Sequence, residues 1–203
     1  MRNEKWIYAL SGIIIGLITG WILATNTPPN NRLGMMGRES NIMQSEAIDA
    51  HFIEQMIPHH EDAITMAKIA QVKAVHPELK QLADSIIKTQ SSEKQQMKEW
   101  YKQWFDRELP TGSAVMQRHG MMSGSGMHMG MLGNESDITN LENSENFDTA
   151  FLQQMIPHHQ MAVMMASMLR NGTDRPEMKQ LADSIITTQS IEIDKMREWL
   201  MLW

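Results

Sequence analysis

Two copies of one pentapeptide carry the densest chemistry in the chain: Met56-Ile57-Pro58-His59-His60 and Met155-Ile156-Pro157-His158-His159. Imidazole nitrogens and thioether sulfurs both bind transition metals, and the thioether is soft enough to select Cu(I) over harder ions. On a helix, residues three and four apart share a face. Met56 therefore meets His59 on one side and His60 on the other, and Met66 returns to within about 20° of His59. The second copy is richer on the same edge, because His158, Met161 and Met165 follow at helical steps with Met164 and Met168 beside them. A lone histidine on a half-apolar face is usually a hydrogen-bonded structural residue. Adjacent histidines, flanked by thioethers and duplicated, point instead to metal ligation. An interior proline costs a helix roughly 3 kcal/mol, so Pro58 and Pro157 mark places where something offsets that loss. A kink or restart there would free a carbonyl, such as that of Glu54, to orient an imidazole.

A second group of soft ligands, Met116, His119, Met121, Met122, Met127, His128, Met129 and Met131, falls between Leu109 and Asn140 in a stretch rich in Gly. Loops longer than about 12–15 residues are usually functional or disordered. Thioethers there have no core to fill, so the segment reads as a metal-capturing loop, the competing reading being a linker of incidental composition. Glu93 and Glu192 recur on the buried side of later helices and keep a carboxylate site open. Asp49 and Asp148 lie on the same face as Met56 and Met155, where they cap a helix start or hold a histidine tautomer. Di-iron carboxylate bundles project Glu-x-x-His inward from a helix; Met stands here in the Glu position, which moves the expected metal from iron to copper or silver. Zinc held by His alone would leave the methionines unexplained.

The chain has 203 residues, with 21 Met, no Cys and a formal net charge of -6. Without Cys there are no disulfides, zinc ribbons or thiolate nucleophiles. An acidic balance with no basic block argues against a nucleic-acid partner. Some Met must be flexible core filler, and Met97 and Met196, on apolar helix stripes, read that way. No Ser/His/Asp set survives placement on helices, no Gly loop cradles a phosphate and no carboxylate pair faces a cleft, so the chain does not read as an enzyme.

The elements that must position these residues are helices. Phe52–Trp100 aligns without gaps with Phe151–Trp199, and more than half of the aligned positions carry the same residue. Each unit reads as a helical hairpin: about Glu46 to Val75 and from Pro77 onward in the first, about Glu145 to Arg170 and Pro176 to Leu202 in the second, with Asn171-Gly172 as a stop signal. Two hairpins predict an all-α four-helix bundle. Residues 46–203 form it, with repeat 1 at 46–108, the Met/His-rich loop at 109–140 and repeat 2 at 141–203. Residues 26–45, which include Met35, Met36 and Met43, read as a flexible tether. Ahead of it, residues 1–25 hold an uncharged run from Trp6 to Ala24, which at about 1.5 Å per residue spans roughly 28 Å, close to a bilayer core. Arg2 and Lys5 precede it. That pattern favours an uncleaved membrane anchor over a signal segment, with the rest of the chain exported to the periplasm or a similar compartment.

With Phe-x-x-x-Met-Ile-Pro-His-His repeated and followed by Ala and Met at helical steps, the chain resembles the bacterial domain of unknown function 305 family over residues 46–203. The resemblance implies a ferritin-like four-helix bundle that binds Cu(I), with Ag(I) as its mimic and Cu(II) as a further state, in copper resistance and homeostasis outside the cytoplasm. Carried over by position, the ligands are Met56, His59, His60 and Met66 in the first unit and Met155, His158, His159 and Met165 in the second. Asp62 and Thr65 stand where Met161 and Met164 stand, so the second unit should hold more or tighter copper. The partners expected are metal ions, the membrane through residues 6–24, and a copper exporter or sensor as recipient. Two rival readings use the same residues: a ferritin-like metal oxidase, and a structural Met-rich bundle that docks a partner helix.

Overall fold

A computed structural model describes residues 32–110 and 135–203. Five helices follow in order: α1 (Arg32–Lys73), α2 (Pro77–Phe105), α3 (Glu135–Glu142), α4 (Phe147–Gly172) and α5 (Pro176–Leu202). The protein is all-α over these residues, and the compact unit spans Gly37–Trp203. Among the described residues no helix is long and apolar enough to cross a membrane. The expected anchor at Trp6 to Ala24 and the ligands of the 111–134 stretch lie outside them.

Helix starts follow the local signals. Pro77 and Pro176 each occupy the first turn, with Glu78 and Glu177 next to them at the positive end of the helix dipole. Asn146 caps α4 by accepting a hydrogen bond from the Thr149 N–H at 3.3 Å. Three boundaries differ from expectation. α1 begins at Arg32, so residues 32–45, read as tether, are helical. No Pro interrupts the chain between there and Pro58, and two Gly cost only about 1 kcal/mol each in a helix. α4 runs through Asn171 to Gly172 before Thr173 turns extended, and a Cβ at Gly172 would meet the Ile48 side chain at 2.9 Å. Finally, the end of the 109–140 loop forms α3, about two turns of helix anchored by Leu141, which is fully buried in the core.

The bundle core comes in two apolar halves. One gathers the C-terminal half of α1 (Ala63 to Ala74), the start of α2, the start of α4 (Phe147 to Met155) and Ile193 and Met196 of α5. The other gathers the reverse portions: Ala50 to Ile57 of α1, Met97 and Tyr101 of α2, Ala162 to Leu169 of α4 and Met178 to Ile185 of α5. That reciprocity is what an antiparallel pairing of two duplicated hairpins produces. Met97 and Met196 are fully buried, as expected for core filler.

The ends are latched in a swapped fashion. Asp148 of the second unit accepts hydrogen bonds from the backbone N–H groups of Val75 and His76 at 2.9–3.1 Å and pairs with the His76 ring at 2.6 Å. His76 stacks on Trp203. At the other end Asp49 of the first unit pairs with Arg175 at 3.1 Å, and the Arg175 guanidinium lies 4.4 Å over the Trp104 ring. Asp148 thus caps no helix: it ties down the α1–α2 connection of the opposite hairpin and holds the His76 ring. Burial holds the Asp49 carboxyl above the usual carboxylate range despite Arg175 and Thr173.

Candidate metal centre

Between the two apolar halves lies a polar layer. α1 and α4 run as helices through Pro58 and Pro157, and the histidines that follow meet across the two units. The His59 and His158 rings are stacked with centroids 3.7 Å apart and planes tilted by 35°. His59 is buried and His158 half-buried, yet both nitrogens of both rings are shut off from solvent and have no hydrogen-bond partner. Each ring does come near the other's backbone, a contact that favours the protonated form but falls short of hydrogen-bond geometry. Burial wins. It pushes the His59 ring down to about 3, helped by the neighbouring His60 and His159, and it holds His158 well below the ordinary histidine range. Two neutral imidazoles therefore face each other with lone pairs available.

His60 and His159 are equivalent to one another and differently employed. Each ring Nε2 lies 2.8 Å from a carboxylate oxygen, His60 with Glu93 on α2 and His159 with Glu192 on α5. A neutral ring that donates Nε2–H to a carboxylate carries its lone pair on Nδ1. Both Nδ1 atoms are buried without a partner. Gln90 and Gln189 line a crevice between α2 and α5 with Glu93 and Glu192, and it is too tight for a water molecule. Gln90 Oε1 and both polar atoms of Gln189 are likewise unpaired. Apart from the Asp49–Arg175 pair, every buried side-chain polar atom without a partner among the described residues belongs to this layer. Native interiors leave few such groups, each costing about 1–3 kcal/mol, so their concentration here marks the layer as the candidate site.

The thioethers flank the layer on both sides, but in an exchanged arrangement. Met56 shares its apolar half with Met165 of the other unit, and Met155 shares its half with Met66. The spacing argument placed Met56 and Met66 on one site; the structure sends them to opposite sides of the histidine layer. Met161 is half-buried at its edge, while Met164 and Met168 are exposed. Among the described residues no three His, Cys, Asp or Glu side chains converge as a hard-metal site needs. Sequence reasoning missed Gln90 and Gln189. The signal was present, since Thr-Gln-x-x-Glu recurs at 89–93 and 188–192 on stripes otherwise apolar, with polar residues at a three-residue step.

The class this defines is an all-helical bundle of two tandem hairpins with a buried layer of histidines between methionines. The chain belongs to the family described as domain of unknown function (DUF305), which matches residues 49–200. It is similar to CopM in its Cu(II)-bound form, with 47% identity, a TM-score of 0.63 and coverage of 76% of this chain and 98% of that one. The Cu(I)-bound form of CopM gives 48% identity, a TM-score of 0.63 and coverage of 76% and 96%. A DUF305 protein from Streptomyces coelicolor, described as a secreted protein by inference, is 25% identical, with a TM-score of 0.63 and coverage of 76% and 92%. An uncharacterized protein of Acanthamoeba polyphaga mimivirus is 45% identical over 53 residues, 26% of this chain and 35% of that protein's length.

Proposed function

We propose that the chain is an extracytoplasmic copper-binding protein that holds Cu(I) in the buried layer and releases it to a recipient, without catalysis. The observation that carries this reading is the His59–His158 pair, stacked, neutral and unpaired in a core that supplies thioethers and no thiol. Neutral soft donors suit a soft monovalent cation, because they leave one charge to be buried and need not shed protons to bind it. Met56, Met66, Met155 and Met165 supply sulfur from either side. Glu93 and Glu192 fix the tautomers of His60 and His159. CopM has been solved with Cu(I), Cu(II) and Ag bound, which supports copper as cargo here and Ag(I) as its mimic. Residues 109–140 add a metal-capturing loop in this proposal, residues 6–24 a membrane anchor, and a copper exporter or sensor the recipient.

Anaerobic titration with Cu(I) against a competing chelator tests the site. His59→Ala with His158→Ala should weaken affinity by about 10–100-fold or more, the range for loss of metal-site partners, and the loaded protein should consume no oxygen. Unchanged affinity in that variant would remove the layer from copper binding, and steady oxygen uptake would favour the oxidase reading.

A further inference from the structure

Beyond the buried layer, α4 presents thioethers to solvent. Met164 is 46% and Met168 68% exposed, and Met161 is half-buried against the apolar half that holds Met56 and Met165. The three recur at steps of three and four, so they are neighbours on one helix face. Exposure falls along the series from Met168 through Met164 and Met161 to Met165, which is 9% exposed and belongs to that apolar half. The duplicated helix lacks the feature: Asp62, Thr65 and Ile69 stand at the three positions. Past its first turn α4 also carries no carboxylate, so the helix itself adds no hard ligand beside these thioethers.

We propose that Met161, Met164 and Met168 form a labile surface site for Cu(I), through which the buried layer is loaded and emptied. The inference rests on the copper-binding reading and assigns the route. A buried two-histidine site holds copper well but cannot be reached by a recipient's ligands. A row of weak, equivalent thioethers lets the metal pass from one sulfur to the next with a new bond forming as the old one breaks, and Cu(I) stays Cu(I) throughout. The net charge of -6 concentrates cations around the molecule, and the thioethers select the soft ones. Among the described residues the route lies on the second unit, although the buried layer is built from both.

The test is transfer of Cu(I) from the loaded full-length chain to a chromogenic chelator, followed by stopped flow. Met161→Leu, Met164→Leu and Met168→Leu together keep the apolar surface and remove the sulfurs. The triple variant should bind Cu(I) at equilibrium with wild-type affinity and transfer it about tenfold more slowly, the lower end of what a lost metal-site partner costs. An unchanged rate overturns the proposal and leaves the stripe an apolar surface only. Affinity falling in step with the rate also overturns it, because the sulfurs would then belong to the storage site. Methyl-labelled Met in the His59→Ala, His158→Ala variant separates this from failure of the copper reading: Ag(I) should still shift the methyls of Met161, Met164 and Met168 in fast exchange. Absence of those shifts contradicts the surface site, whatever the buried layer does.

Discussion

At the scale of the residue, the decisive fact is that His59 and His158 stay neutral. Their nitrogens are removed from water and stacked ring to ring, so a proton on either would be a buried charge beside another imidazole. In the unfolded chain each ring takes up a proton as the pH falls through about 6.5. The folded protein refuses it until about 3 for His59. The unfolded state therefore binds more protons between those limits, and stability of the metal-free protein should fall with falling pH at up to about 1.4 kcal/mol per pH unit per ring. Above pH 6.5 the contribution is constant. Urea unfolding from pH 7 to 4 should show this slope, and His59→Asn with His158→Asn should flatten it; parallel curves would mean the rings titrate in the folded protein as they do unfolded.

At the scale of the element, the histidines are set by α1 and α4 passing one another in opposite directions. The pentapeptides made the helices and the candidate donor residues legible, since Met, His and the Ala steps that follow share one helical period. The pairing of His59 with His158 was not legible, because it depends on which face of α1 meets α4, and spacing within one helix says nothing about its neighbour. The same limit hid the partner of Asp148. Its position suggested a cap on its own helix, yet Asn146 fills that role and Asp148 reaches across to Val75 and His76. Asp148→Ala removes the acceptor of two backbone N–H groups and of the His76 ring at a part-buried site, and should cost about 1–3 kcal/mol by thermal or urea unfolding while leaving Cu(I) affinity intact. A loss under about 0.5 kcal/mol would show that solvent replaces the latch.

At the scale of the whole molecule, duplication explains both what is symmetric and what is not. Two hairpins of like sequence pair so that each apolar half mixes both units, and the histidine layer falls where they cross. The second unit's methionines then break the symmetry on the outside of α4. A layer built this way is shared, so neither repeat forms it alone. Diffraction from crystals of the protein loaded with Cu(I) or Ag(I), recorded at a wavelength where the metal scatters anomalously, locates the cargo directly. The account predicts a peak in the buried layer, within bonding distance of a ring nitrogen of His59 or His158 and of a sulfur from the flanking methionines. Metal-loaded crystals whose peaks all lie outside that layer, with the two rings still stacked and unligated, would contradict it.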